Sequence, residues 1–120
     1  MGLGTASEDY LEAILILQKG RGMVRSVDLA RHMGYSKPSI CHAVSVLKKG
    51  NYLTMDSEGY LHLTDSGKEI AEKVYEKHLF LTDMLVSAGV SKEVAERDAC
   101  KMEHGISDES FGKLKKTFER

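Results

Sequence analysis

The segment "ACKMEHGISDE", residues 99–109, contains three potential metal ligands of different chemistry within five consecutive positions. If "SKEVAERDACKMEHG" is helical, the i, i+3, i+4 spacing places Cys100, Glu103 and His104 on one face, with Glu96 one turn earlier. Thiolate and imidazole favour transition metals, and a carboxylate shifts the preference toward manganese and iron. The segment therefore predicts a metal site or, alternatively, a small buried cysteine beside a solvated Glu–His pair.

Further ionisable residues occur on two other predicted helices. Asp9 and Glu12 are three positions apart on the first helix, and His78 is in register with the apolar stripe of a long helix. Taken one by one, each has a simpler explanation. Acidic residues near a helix start interact favourably with the helix dipole, and a histidine on an apolar stripe is usually a hydrogen-bonded core residue. Together they would leave several charges on packing faces, which is costly. A divalent cation held by the three helices would remove that cost.

Composition limits the class of protein. The chain has 120 residues, 29% charged and 42% hydrophobic, as expected for a soluble globular protein. No apolar run approaches the length of a membrane span, and the N-terminus lacks the features of a secretion signal. Two distant cysteines do not form a disulfide framework. We therefore expect a cytoplasmic protein with no membrane partner.

Basic residues are concentrated in one segment, although the net charge of the whole chain is −1. Residues 19–51 contain seven lysines and arginines against Asp28 alone, a local charge of 7 − 1 = +6. A basic stretch is often only a solvated face, so it indicates a nucleic-acid partner only where a structural motif supports it.

The basic segment has the pattern of a helix-turn-helix. A first helix is expected from an N-cap at Ser7 to the glycines of "KGRG". "SVDLARHMG" predicts a short helix capped by Ser26 and closed by Gly34. "SKPSICHAVSVLKKG" predicts the next helix, capped by Ser36 with Pro38 in its first turn.

A β-hairpin is predicted directly after this motif. The alternating segments "NYLTMD" and "YLHLT" flank a turn at Ser57, Glu58 and Gly59. A helix-turn-helix followed by a hairpin is a winged helix.

The rest of the chain is predicted to be helical. Thr64 or Asp65 caps a long helix that ends near Gly89, Ser91 caps the next, and a last helix starts at Ser107 or Asp108 and runs toward Arg120. The expected fold is mainly α with a small β-hairpin: a winged helix-turn-helix domain at 1–64 and a helical metal-binding and dimerisation domain at 65–120.

The outward face of the second helix of the motif is the predicted DNA-reading surface. Small hydroxyls and a lysine there can approach phosphates and base edges in a major groove. The predicted DNA-binding residues are Arg25, Ser36, Lys37, Pro38, Ser39, His42, Lys48 and Lys49, with Arg31 as a further phosphate anchor. The alternative is that the winged helix binds another protein. His32 and His62 are expected at the surface, and Cys41 is expected to pack.

Five stretches carry a resemblance to a known family, in this order: "SEDYLEAI", "VRSVDLARHMGYSKPSICHAVSVLKKGNYL", "LTDSGKEIA", "KHLFLTDML" and "CKMEHGISDE". Together they resemble the metal-dependent repressors of the diphtheria toxin repressor and manganese transport regulator family. The resemblance covers almost the whole chain. It implies a winged helix, a helical dimerisation region and a metal site joining them. The C-terminal SH3-like barrel of many members has no room in 120 residues, so the chain resembles the short form, although the native chain could extend past residue 120.

The resemblance also implies a ligand set. The principal site would use Asp9, Cys100, Glu103 and His104. A second site would use Glu12 and His78, shared with Glu103 and with Cys100 or Glu96. The pattern is a hybrid, since manganese-type members resemble this chain in "EDYLE" but carry a carboxylate at position 100, whereas iron-type members carry cysteine there but methionine at position 9. The cysteine at position 100 favours iron(II), and the aspartate at position 9 is compatible with manganese(II). Cobalt(II), nickel(II) or zinc(II) are plausible in vitro.

The function implied is a metal-responsive repressor that binds a palindromic operator in double-stranded DNA as a homodimer and controls metal-uptake or homeostasis genes. One alternative is a winged-helix regulator that needs no metal. Another, from a different class, is a small metal-dependent hydrolase, which would require an open coordination position and a general base. The sequence shows no nucleophile motif, so an enzyme is not expected.

Overall fold

The computed structural model describes residues 4–118. The elements in chain order are α1 Thr5–Arg21, α2 Ser26–Met33, α3 Lys37–Lys49, β1 Leu53–Met55, β2 Leu61–Leu63, α4 Asp65–Ser87, α5 Lys92–Gly105 and α6 Asp108–Phe118. They confirm the mainly helical fold with one hairpin. The chain divides into two compact units, the first ending at Glu72 and the second beginning at Lys73.

The first helix starts two residues before the predicted cap, so the N-cap prediction at Ser7 is wrong. Gly4 occupies the cap position with extended backbone, and its carbonyl accepts the Glu8 N–H at 3.1 Å. Residues 5–7 already have helical geometry, and no side chain caps the start of the helix.

The start of α2 also differs from the prediction, because Arg25 rather than Ser26 is its N-cap. The Arg25 N–H donates to the Asp28 carboxylate at 2.9 Å, so an acidic side chain at the third helical position satisfies the cap from within the helix. The predicted end is confirmed, since Gly34 has φ of 70° in the left-handed region that closes the helix. Ser36 caps α3 by accepting the Ser39 N–H at 3.3 Å, as predicted.

The wing is a two-stranded antiparallel hairpin extended by one bridge. Leu53 pairs with Leu63 and Met55 with Leu61. The segment before α2 lies alongside it, because the Leu61 N–H donates to the Val24 carbonyl at 2.7 Å and Arg25 bridges Tyr60. The wing is therefore hydrogen-bonded to the segment that leads into the helix-turn-helix.

The core of the first unit fixes the recognition helix. The helix α1 packs on α2, α3 and β2, and α3 also packs on β1. Ile40, Val44 and Leu47 are the buried residues of α3. Gly67 is required at the start of α4, because a Cβ there would lie 2.1 Å from the Tyr52 carbonyl oxygen.

The second unit is built on an apolar cluster of α4, α5 and α6. Phe80 and Phe111 meet edge to face at 5.4 Å, and Leu81 and Ala99 complete the buried cluster. The predicted caps are confirmed by hydrogen bonds to Thr64, Ser91 and Ser107. The predicted continuation of the last helix to Arg120 lies outside the described residues. No helix within residues 4–118 is both long and apolar enough to cross a membrane.

Candidate metal and DNA-binding sites

The α5 face that carries the predicted ligands has one buried member. Glu103 is 1% exposed, whereas Cys100 is exposed, so the alternative that Cys100 is a core residue is wrong. A ring nitrogen of His104 lies within 4.8 Å of the Cys100 sulfur. The helix thus presents a thiol and an imidazole together, next to a carboxylate directed into the protein.

Glu103 is paired with His78, a residue 25 positions away on α4. Their Oε1 and Nδ1 atoms are 3.1 Å apart. The second oxygen of Glu103, Oε2, is buried and has no hydrogen-bond partner among residues 4–118. A buried carboxylate oxygen left without a partner costs free energy. A bound cation would remove that cost, so carboxylate and imidazole together fit a divalent transition metal.

The remaining predicted ligands have contrasting environments. Glu96 is exposed on α5, a turn before Cys100. In the first unit, Asp9 and Glu12 are three positions apart on α1, Asp9 partly buried and Glu12 buried with 7% exposure. Burial of Glu12 agrees with the expectation that the carboxylates of this helix are not freely solvated.

The predicted DNA-reading residues of α3 lie on its exposed side. Lys37, Ser39 and His42 are exposed, on the side of the helix away from its buried apolar residues. Pro38 is in the first turn, and the Ser36 hydroxyl lies 3.0 Å from that of Ser39. Their side chains are therefore available to a ligand, held on a helix whose start is fixed by a cap.

The basic residues predicted to contact phosphates are also exposed. Lys48 and Lys49 occupy the last turn of α3. The Arg25 guanidinium lies over the Tyr60 ring, 4.4 Å from its centroid, within the range of a cation–π interaction. Sequence reasoning missed Tyr60, because the two residues are 35 positions apart and only the strand pairing brings them together.

Three predictions outside this set can also be checked. Cys41 was expected to pack, but it is exposed on α3, so that prediction is wrong. The helix buries one narrow stripe, and position 41 falls beside it rather than on it. His32 and His62 are exposed as expected. His62 Nε2 is 2.9 Å from the Asp56 carboxylate in the wing, and this hydrogen bond lowers the pKa of Asp56.

A winged helix with a basic recognition helix, followed by a helical unit with clustered side chains of metal-ligating types, is the arrangement expected of a metal-dependent DNA-binding regulator. Residues 2–65 match the family described as "Iron dependent repressor, N-terminal DNA binding domain". Residues 64–120 match "Iron dependent repressor, metal binding and dimerisation domain". The chain belongs to this family of iron-dependent repressors.

Individual relatives agree with the family. The transcriptional regulator MntR of Escherichia coli O6:H1 is 34% identical over 104 residues, which cover 87% of this chain and 67% of the relative. A manganese-dependent transcriptional repressor solved in complex with manganese is 25% identical, with a TM-score of 0.83 over 92% of this chain. IdeR of T. acidophilum superposes over 100% of this chain with a TM-score of 0.81 at 24% identity, which shows the shared fold.

The chain spans about half the length of these solved structures, 51% and 56% respectively. The two family descriptions and the named relatives are transcriptional regulators, which gives no support to the hydrolase alternative.

Proposed function

We propose that this protein is a metal-responsive transcriptional repressor, which binds operator DNA as a homodimer when loaded with iron(II) or manganese(II). The observation that carries the proposal is the buried Glu103 carboxylate, which is paired on one oxygen with His78 and left without a partner on the other. A buried carboxylate oxygen without a partner destabilises the folded protein unless a cation binds to it.

The proposed ligand set is the one that the family resemblance implies. The second unit supplies Cys100, Glu103 and His104, together with His78. We assign Asp9 to the same metal as Cys100, Glu103 and His104. We assign Glu12 and His78 to a second metal, which shares Glu103. This assignment follows the family pattern and the chemistry of the donors. The exposed Glu96 is the weakest member of the set.

The metal is proposed from donor chemistry. A thiolate at Cys100 moves the preference toward iron(II), cobalt(II) or zinc(II), while carboxylate and imidazole keep manganese(II) possible. The family is described as iron-dependent, and the relative in Escherichia coli O6:H1 carries the name MntR. Iron(II) and manganese(II) are therefore the two physiological candidates.

The first unit offers a short route from the proposed α1 ligands to the DNA. Tyr10 lies next to Asp9, and its ring meets that of Tyr35 edge to face at 6.0 Å. Tyr35 is in the turn directly before Ser36, the cap of the recognition helix. Ordering of α1 by a metal would consequently favour one orientation of the recognition helix, as selection of a binding-competent state requires.

A homodimer is proposed because one recognition helix reads too few base pairs for specificity. The second unit has a groove of about 730 Å³ between α4 and α6, and its wall includes the exposed apolar residues Leu79 and Phe118. Exposed apolar side chains around a groove are typical of an interaction surface. Two copies would present two recognition helices to a palindromic operator.

The test is metal-dependent DNA binding by the purified protein. Fluorescence anisotropy with duplex fragments selected for binding would be measured against manganese(II), iron(II), cobalt(II) and zinc(II), with chelator as the reference. We expect at least tenfold tighter binding with the activating metal. Equal affinity with metal and with chelator would favour a metal-independent winged-helix regulator.

A further inference from the structure

The Lys77 side chain is unusual in its surroundings. It is 13% exposed, although lysine is rarely buried unless it is paired. Its ammonium donates to the Ile106 carbonyl at 3.3 Å, lies 3.0 Å from the Asp108 carboxylate and is 6.0 Å from the centroid of the Phe111 ring. All three partners lie at or after the junction of α5 and α6, so this one side chain joins α4 to that junction.

The junction follows directly on the proposed ligands. Helix α5 ends at Gly105, one residue after His104, and glycine is a poor helix former at an end that is prone to fray. The Ile106 N–H donates to the Met102 carbonyl at 3.1 Å, and the Ile106 carbonyl accepts from Lys77. Both polar groups of this residue are thereby fixed, one by α5 itself and one by α4.

Two neighbouring residues of α4 therefore contact the last turn of α5 and the residue that follows it. His78 contacts Glu103 at 3.1 Å, and Lys77 contacts Ile106, three positions further along the chain. A cation at a helix C-terminus also interacts favourably with the helix dipole. The Asp108 carboxylate balances the charge of Lys77, and their hydrogen bond lowers the pKa of Asp108.

We propose that Lys77 is a positioning residue for the metal centre: it caps α5 and keeps Glu103 and His104 in ligating register. Because it assumes that these residues bind metal, the inference rests on the proposed function. Lys77 does not touch the metal. It acts by keeping the last helical turn formed in the metal-free protein, so that less ordering is required when metal binds.

The chain contains a matched control for this role. Lys115 forms an ion pair with Glu76 at 2.6 Å, which also joins α4 to α6, and neither residue belongs to α5. Lys77→Gln removes the charge and shortens the donor, whereas Lys77→Arg keeps both the charge and a donor. Lys115→Gln removes a comparable ion pair from the same two helices.

The first measurement is amide hydrogen exchange of residues 102–106 in the metal-free protein. We expect exchange about three- to tenfold faster in Lys77→Gln, near wild-type exchange in Lys77→Arg and no change in Lys115→Gln. Equal exchange in Lys77→Gln and Lys115→Gln would overturn the proposal. If Lys77→Gln does not fold, Lys77→Met replaces it, because it keeps an apolar chain of similar length but has no donor for the Ile106 carbonyl. Faster exchange confined to the same amides then supports the proposal, and unchanged exchange overturns it.

The second measurement is the affinity for manganese(II) and cobalt(II), with the expected order wild type, then Lys77→Arg, then Lys77→Gln about three- to tenfold weaker. Tighter metal binding by Lys77→Gln would mean that charge repulsion outweighs positioning, and would overturn the proposal. A wild-type protein that binds neither metal would instead reject the proposed function, while the exchange measurement would still decide whether Lys77 fixes α5.

Discussion

The two units of the molecule use ionisable residues in opposite ways. In the first unit, the proposed DNA-reading residues are exposed, and each rests on a backbone position fixed by a cap or by the buried stripe of α3. In the second unit, the decisive carboxylate is 1% exposed and is held by His78. Each exposed residue that contacts a phosphate contributes only a modest part of the total electrostatic attraction to DNA. A buried carboxylate that binds a metal is one of only a few donors, so its removal should abolish most of the metal binding.

The largest effect is therefore expected from Glu103→Gln. The amide keeps the shape and can still form a hydrogen bond with His78, but it removes the anionic donor. We expect manganese(II) affinity to fall by about 100-fold or more. The free energy of unfolding of the metal-free protein should change by no more than about 1 kcal/mol, because the amide removes a buried carboxylate but can keep the hydrogen bond to His78. Isothermal titration calorimetry and denaturant unfolding give the two quantities.

Glu93→Gln is the matched control, because Glu93 is an exposed carboxylate of the same helix and is not among the proposed ligands. We expect it to leave metal affinity nearly unchanged. A Glu103→Gln protein that is clearly less stable but binds manganese(II) normally would show that Glu103 is a structural partner of His78, and the contrast between the units would disappear.

The next largest effect is expected on the stability of the first unit, which positions the exposed DNA-reading residues. Gly67→Ala would place a Cβ against the Tyr52 carbonyl, a backbone atom that cannot rotate away. We expect the free energy of unfolding to fall by about 3 kcal/mol. Gly112→Ala on α6 is the control, since nothing lies within 4 Å of its Cβ, and it should raise stability by about 0.5 to 1 kcal/mol. Equal effects in thermal unfolding would contradict this account of Gly67.

These residues also show what the sequence could predict. Caps such as Ser36 and Ser91 were found because the groups involved are three residues apart. The cap prediction at Ser7 failed because the helix already begins at Thr5, after Gly4, and no side chain caps it. The shared face of Cys100, Glu103 and His104 follows from helical periodicity. Which of them is buried depends on a partner 25 positions away, and the Arg25–Tyr60 contact depends on strand pairing, so neither could be read locally.

Cys100→Ser tests the proposed thiolate ligand and should have an intermediate effect. A hydroxyl stays protonated at neutral pH and is a poorer donor, so cobalt(II) and zinc(II) should bind about tenfold more weakly. The near-ultraviolet charge-transfer band of the cobalt(II) complex should disappear, and Cys100→Glu should move the preference toward manganese(II). Cys41→Ser, at the other free cysteine, should keep the band. A band that survives in Cys100→Ser would exclude this residue as a ligand.

Lys37→Ala tests whether the exposed side of α3 faces DNA. If Lys37 contacts one phosphate, affinity at low salt should fall about three- to tenfold, and the slope of log K against log salt should become shallower by about 0.9. Metal affinity should not change. Lys116→Ala, an exposed lysine in the last turn of α6, is the control. An unchanged slope for Lys37→Ala would remove this residue from the interface.

The smallest effect is expected in the wing, where the exposed Asp56 carboxylate accepts the N–H groups of Glu58 and Tyr60, each at 2.9 Å. The His62 hydrogen bond, followed by that from Tyr60, lowers the pKa of Asp56 below its ordinary value of 3.8. A depressed carboxyl pKa means that the contribution of Asp56 to wing stability is fully present above pH 3.8 and is lost as the pH falls through the folded-state value. The chemical shifts of the two amides should therefore follow a single acid titration with a midpoint below 3.8. In Asp56→Asn the side-chain oxygen can still accept both hydrogen bonds, but it does not titrate, so this acid step should be absent. A titration that persists in Asp56→Asn would assign it to another carboxyl group and leave the wing without this acid-sensitive contact.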